Sequence, residues 1–443
     1  MIKDRSTVPL SRENRPPVSV PIEQQVWRWS MGKKLAVIGA GPGGLFAAKE
    51  AATLGLSVTV FEKGKIGENI ACAEGFVDLL KLLPQPVAGI CFPVDRLLIT
   101  VKDQFDVDCT RLNLWMLDRR IWQQALAREA MARGCEVLEQ HPITPDRLHE
   151  LKKEYDWVID ASGARAVSAA AFRLSNLRKA VAAQYTLEGD FSNLAGKLKI
   201  VVLDAPCSGY GWVFPKSGTQ ANVGLGWFGK KKEALRIKGE LETFLRKEGL
   251  DRYRVVRRSA GLIPIRPREK TVVDNVILIG DAAGFGSPLH GGGIDTACIS
   301  GILAAKAAFA DDPNWYEQSV HKLIGLRLKL EQKVLDLWEA SDFEALNRYA
   351  ASALAEDGTQ SSWRKMLVPE AVVLRSILSG LIRGDWEKGI ILDDLPVVAK
   401  VVLKAALAGR SKLMKSFEHG GIMNNRAPHD TNSLDRRSRK KRT

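Results

Sequence analysis

The run Gly39-Ala-Gly41-Pro-Gly43-Gly44 restricts what this chain can fold into more than any other feature. It ends an apolar strand, KKLAVIGAG (Lys33–Gly41), and opens a helix over Gly43–Gly55; a second strand, Ser57–Lys63, completes a βαβ unit. Gly39 permits the tight turn, Gly41 lets backbone approach a pyrophosphate, and Gly44 allows the helix to pack close to the strand. The helix N-terminus offers free N–H groups and a partial positive charge to phosphates. Glu62 closes the second strand 18 residues after Gly44, where a carboxylate can accept hydrogen bonds from an adenosine ribose. Strand, glycines, helix and acid together predict a Rossmann-type dinucleotide site. A second match to the same spacing, Gly224-Leu-Gly226-Trp-Phe-Gly229, puts Trp227 and Phe228 where a phosphate loop needs small residues. It reads as a strand ending in a turn, so no second, nicotinamide-binding unit is legible.

Further along, Leu117–Gly134 has the pattern of an amphipathic helix, and Asp156–Gly163 that of a strand ending in small residues. Val181–Trp227 alternates and is punctuated by Gly, Pro and Ser, as antiparallel strands are. Asn275–Gly284 (NVILIGDAAG) returns to a buried parallel-type strand. Asp281 stands just past it, where a carboxylate can bind a ribityl hydroxyl of FAD; the plainer reading is a solvated helix cap. Gly291-Gly-Gly293-Ile294 then opens a small-residue helix whose N-terminus suits the flavin pyrimidine. The expected class is α/β, a Rossmann-type FAD-binding domain interrupted by an antiparallel β-sheet substrate domain, with a helical C-terminal region. The expected boundaries are 1–30 for a flexible extension, 31–175 and 255–310 for the FAD-binding domain, and 176–254 with parts of 76–116 for the β-rich domain. Residues 311–419 read as helical and 420–443 as a basic flexible tail.

Composition excludes several classes. At 443 residues and 45% hydrophobic the chain can bury a large core, and no apolar run is long enough to cross a bilayer. Arg, Glu and Pro interrupt residues 1–24, unlike a secretory signal, which points to a cytoplasmic protein. Cys72, Cys91, Cys109, Cys135, Cys207 and Cys298 are scattered without a CxxC pair, which argues against a metal or iron–sulfur site. Of the formal charge of +14, the last eleven residues supply +5 and residues 1–30 supply +2. Charge concentrated on termini is usually a solvated tail, and specific nucleic-acid binding is not expected.

GAGPGG, Leu117-Asp118-Arg119, the Asp156–Gly163 strand and Gly280-Asp281 resemble the FAD-binding elements of the p-hydroxybenzoate-hydroxylase-type flavoproteins. Two longer motifs narrow the resemblance. IGENIACAEGF (Ile66–Phe76) is similar to the CxEG loop of the geranylgeranyl reductases, and GYGWVFPKSGTQANVGLG (Gly209–Gly226) to their YxWxFPK segment. The resemblance covers roughly residues 33–310. It implies flavin contacts at Gly43, Glu62, Cys72, Ala73, Gly75, Arg119, Ala161, Asp281, Gly293 and Ile294, flanked by Gly163 and Gly280. It also implies that Tyr210, Trp212 and Phe214 line a lipid pocket, against the alternative that they are ordinary sheet core, and that Cys72 takes part in catalysis, against the alternative of a small buried hydrophobe. His290, within Ser287–Gly293, departs from the pattern and has no assigned role; the region after Asp311 matches nothing.

The implied activity is saturation of carbon–carbon double bonds in a polyprenyl lipid by hydride from reduced flavin N5. An aromatic-ring hydroxylase, a flavin halogenase and, more distantly, a nucleic-acid-binding flavoprotein are the alternatives. Either NAD(P)H or an acidic protein such as ferredoxin would supply electrons. Met366–Gly384 and Leu395–Gly409 could meet a membrane surface peripherally or pack on the flavin domain.

Overall fold

The computed structural model describes residues 32–204, 209–228 and 236–354. β1 (Lys34–Ile38), α1 (Pro42–Thr53) and β2 (Ser57–Phe61) form the opening unit. The short strands β3 (Gly75–Val77), β4 (Ile90–Pro93), β5 (Arg96–Thr100), β6 (Gln104–Asp108) and β7 (Leu114–Leu117) leave it. α2 (Arg119–Ala132), β8 (Glu136–Leu138), α3 (Pro145–Glu154) and β9 (Trp157–Asp160) return to it, and α4 (Val167–Ala171) follows. Next come β10 (Lys179–Glu188), β11 (Lys197–Val202), β12 (Gly209–Ser217), β13 (Gln220–Trp227), α5 (Ile237–Lys247) and β14 (Arg254–Pro264). β15 (Val272–Val273), β16 (Val276–Leu278) and α6 (Gly280–Ala283) lead into α7 (Ile294–Ala310). α8 (Pro313–Val320), a π turn at His321–Gly325, α9 (Leu326–Ala340) and α10 (Phe343–Leu354) complete the described chain.

The first sheet has the order β15-β16-β9-β1-β2-β8, parallel except for β15. Its central strands are apolar on both faces: Leu35, Ala36, Val37, Val158 and Ile159 have no exposed surface. That is the signature of a parallel sheet covered by helices on both sides. The covering helices α1 and α7 approach unusually closely, because a Cβ on Gly301 would lie 2.3 Å from the Gly43 carbonyl oxygen.

The second sheet has the order β14-β10-β13-β12-β11-β5-β6 and is antiparallel apart from β5 against β11. Alternation divides its faces. Val213, Val223 and Leu225 turn toward Leu241, Phe244 and Leu245 of α5 and form one core. Tyr210, Trp212 and Phe214 occupy the other face, toward the first domain. A third sheet, β3-β7-β4, joins the two. Leu335 of α9 packs with Phe228 and Ile265, and Asn347 of α10 accepts the Lys102 and Asp103 amides at the β5–β6 hairpin. No helix among the described residues is long and apolar enough to cross a membrane. The two candidate membrane-facing segments and the basic tail lie outside the described residues.

Candidate functional site

The glycines of the first loop have separate tasks. Gly39 has φ +101°, and a Cβ on it would lie 2.6 Å from the Ala161 carbonyl oxygen. A Cβ on Gly44 would lie 2.0 Å from the Gly39 oxygen, and one on Gly43 2.8 Å from the Ala297 oxygen. These three therefore serve packing of α1 against the β1 turn, β9 and α7. Gly41 differs: nothing lies within 4 Å of its missing Cβ, so its backbone faces open space at the start of α1. A pyrophosphate needs that approach. The Glu62 carboxylate ties the loop to β2, accepting the Ala40 amide at 2.8 Å and the Gly64 amide at 3.0 Å.

Asp118 caps α2 by accepting the Ile121 amide at 3.1 Å, which puts Arg119 at the first helical position. The Arg119 guanidinium donates to Gln123 at 2.7 Å, and buried Gln123 donates to the Ala40 carbonyl at 3.3 Å. Arg119 Nε is buried without a hydrogen-bond partner. A buried donor left open beside a glycine turn fits a phosphate or flavin oxygen. Asp281 lies in the first turn of α6, with its Oδ1 3.4 Å from the Cβ position of Gly293 at the start of α7. Burial pushes its carboxyl up to about 6, against the pull of Arg119. Gly280 (φ +51°) lets α6 pass Ala297, while Gly163 (φ +80°) turns the chain after β9 with open space beside it. Ile294 is the first residue of α7. The fold thus brings Gly39, Gly41, Gly43, Gly44, Glu62, Arg119 and Ala161 to one end of the parallel sheet, and Asp281 with Gly293 beside them. These residues fit FAD: an open glycine turn for the pyrophosphate, a guanidinium whose buried Nε has no partner, and a half-buried carboxylate for ribityl hydroxyls.

The Cys72 loop is built around a residue that sequence reasoning passed over. Glu74, nearly fully buried and at φ +71°, accepts the Arg119 amide at 2.9 Å, the Asn222 amide group at 2.8 Å and the Lys216 ammonium at 2.9 Å. Lys216 also meets Asp118 at 3.2 Å. Burial works against the Lys216 ammonium, but Glu74 and then Asp118 outweigh it and hold it above the ordinary lysine range. The glutamate of CxEG and the lysine of FPK therefore pin the loop to both β12 and α2. Both letters stood inside the quoted motifs, but nothing in their spacing announced the pair. Gln184 completes the clamp, donating to the Cys72 carbonyl at 3.1 Å and accepting the Trp212 indole N–H at 3.1 Å. The Cys72 thiol accepts the Glu74 amide at 3.3 Å and is half-buried; Ala73 gives its carbonyl to Asn222 at 3.2 Å.

Tyr210, Trp212 and Phe214 form a ladder with ring centroids 5.9 and 6.4 Å apart. Trp212 lies across β13 where glycines make room: a Cβ on Gly224 would be 2.4 Å from its ring, and one on Gly226 3.6 Å. Gly224 and Gly226 of the second GxGxxG match thus serve an indole rather than a phosphate. A Cβ on Gly75 would be 3.2 Å from Phe214, which places the Cys72 loop against the ladder. Tyr210 donates to the His290 carbonyl at 2.5 Å, and burial keeps its hydroxyl protonated well above the usual tyrosine range.

The chain is similar to known proteins in sequence and in fold. Residues 34–103 match the family model for an FAD binding domain, and residues 180–263 that for the geranylgeranyl reductase catalytic domain. A digeranylgeranylglycerophospholipid reductase of Methanosarcina mazei is 34% identical over 62% of this chain and 74% of its own length. The corresponding protein of Methanothrix thermoacetophila is 29% identical, over 75% and 94%. Among solved structures, a geranylgeranyl bacteriochlorophyll reductase-like protein of Thermoplasma acidophilum shares the fold with a TM-score of 0.67 at 21% identity, covering 79% of this chain and 98% of its own. The chain is an FAD-dependent oxidoreductase that belongs to the geranylgeranyl reductase family.

Proposed function

We propose that this protein saturates carbon–carbon double bonds of a geranylgeranyl-type lipid. Bound FAD, once reduced, supplies hydride. The chain's residues hold the cofactor, exclude water and present the alkene. The glycine turn, Glu62, Arg119, Ala161, Asp281, Gly293 and Ile294 bind and orient the flavin. The Cys72 loop, with Ala73 and Gly75, covers it on the side of the second sheet. The substrate lies along Tyr210, Trp212 and Phe214.

One observation carries this reading: the ladder's polar atoms are already engaged within the protein. The Tyr210 hydroxyl goes to His290 and the Trp212 N–H to Gln184, so the rings offer hydrocarbon faces. Such a surface suits an isoprenoid chain and offers no O–H or N–H donor to a polar aromatic. The relatives named for digeranylgeranylglycerophospholipid reduction support the same substrate class. Anaerobic incubation of reduced enzyme with geranylgeranyl lipid should add two mass units per double bond. Hydroxylated or halogenated aromatic products, with no change in the lipid, would reverse the assignment.

The electron donor is proposed to be an acidic protein of the ferredoxin type, since the chain carries +14 and only one dinucleotide motif. Rapid reduction by NADPH would replace it. The protein works at the membrane surface without crossing it, from the cytoplasmic side.

A further inference from the structure

We propose that His290 is a positioning residue for the flavin, its ring fixing the Gly292 amide and so the Gly291–Gly293 turn from which α7 starts. This rests on the assignment of Gly293 and Ile294 to the flavin site.

The turn is tightly specified. Fully buried Ser287 accepts the amides of Leu289 and His290 through its hydroxyl, at 3.2 and 3.1 Å, and its amide donates to the Gly292 carbonyl at 2.8 Å. Tyr210 holds the His290 carbonyl. The remaining link is the imidazole, whose Nδ1 accepts the Gly292 amide at 3.2 Å. With Nδ1 accepting, a neutral ring carries its proton on Nε2. Nε2 lies 3.9 Å from Glu331 Oε1 on α9.

Glu331 belongs to a buried cluster that nothing else in the proposed activity uses. Arg327 donates to Glu331 at 2.8 Å and to Asp295 of α7 at 2.6 Å, and all three side chains are more than nine-tenths buried. Arg327 Nη2 and Glu331 Oε2 have no hydrogen-bond partner. Two carboxylates against one guanidinium leave a net negative neighbour for the ring, which holds it toward α9. Two further groups face the loop: the uncharged Tyr210 hydroxyl on the His290 carbonyl, and the Asp281 carboxyl, 3.4 Å from the Gly293 Cβ position. Burial lowers the His290 pKa below its usual 6.5 despite Glu331, and Arg327 adds to the depression. The ring is therefore neutral at neutral pH, and the Gly292 bond is intact. Protonation at Nδ1 removes the acceptor and frees the turn at the flavin.

The prediction is a pH-dependent FAD affinity that the neutral isostere lacks. FAD binding to apoprotein is measured by flavin fluorescence quenching from pH 5 to 8 for wild type, His290→Asn and His290→Ala. Asn keeps an acceptor near the Nδ1 position. At pH 8 the Asn variant should bind within about twofold of wild type, and the Ala variant about tenfold more weakly, as for one lost hydrogen bond. Below His290's titration the wild-type Kd should rise by up to about tenfold, the loss expected of His290→Ala. Asp281 titrates nearby, so the difference between wild type and His290→Asn is the readout. Identical pH profiles for these two overturn the proposal even if His290→Ala does not fold. Absence of FAD binding by wild type would instead overturn the site assignment itself.

Discussion

Gly41 is the residue at which the cofactor and the fold can be separated by experiment. A valine there meets no protein atom within 4 Å of its Cβ, so Gly41→Val should fold, yet its side chain fills the space a pyrophosphate needs. The purified variant should be colourless with unaltered thermal unfolding; stoichiometric flavin would refute the site. Asp281 makes a complementary test. Its folded pKa of about 6 stands above the ordinary 3.8, so the native apoprotein binds this proton more tightly than the unfolded chain. Stability from this group is therefore complete at acid pH and is lost as pH rises through 6. Asp281→Asn should raise the apoprotein Tm by a few degrees at pH 8 and by about half as much at pH 5, while weakening FAD binding. A lowered Tm at pH 8 would contradict it. Residues of this kind were legible because backbone approach and phosphate charge require particular side chains at short spacing. Glu74 was not: its partners Arg119, Lys216 and Asn222 come from three other elements, and only the folded chain assembles them.

At the scale of elements, the β-strands and helices near the nucleotide turn followed from periodicity, since a buried parallel strand and a glycine-opened helix are each local patterns. The choice between core and pocket for the β12 aromatics was not a local matter. Alternation puts Tyr210, Trp212 and Phe214 on one face under either reading, and what decides is whether the opposing elements close over them. The test lies in β13. A methyl on Gly224 would stand 2.4 Å from Trp212 and 2.5 Å from the Ala183 carbonyl, forcing the indole off the strand. Gly224→Ala should keep bound FAD and its absorbance while lowering kcat/KM for the lipid by at least about tenfold, an alignment cost of about 1.4 kcal/mol. Unchanged turnover would assign the rings to the core. The Glu74–Lys216 pair belongs to the same layer. Glu74→Ala leaves a partly buried ammonium with Asp118 as its remaining carboxylate, and urea unfolding should show a loss of about 3 kcal/mol.

For the molecule as a whole, the substrate class sets a requirement that the described fold does not meet alone: an enzyme acting on a bilayer lipid must reach the bilayer. No helix of the described residues is long and apolar enough to span one. Sequence supplies the material in Leu395–Gly409, where Val397, Val398, Val401, Val402 and Ala405 make an apolar stripe flanked by Lys400, Lys404 and Arg410. Such a stripe, laid in the headgroup region, gains from apolar burial and from attraction to anionic lipid. The basic run Arg436–Arg442 adds a longer-range pull that salt screens over about 10 Å at 0.1 M. Full-length protein should therefore float with anionic vesicles at low ionic strength, float less with neutral vesicles, and lose part of its binding as salt is raised. The part that survives high salt measures the apolar stripe, and the part that is lost measures the basic tail. Protein that stays with the soluble fraction under every condition would mean that these stripes pack against the flavin domain and that the lipid is extracted before it is reduced.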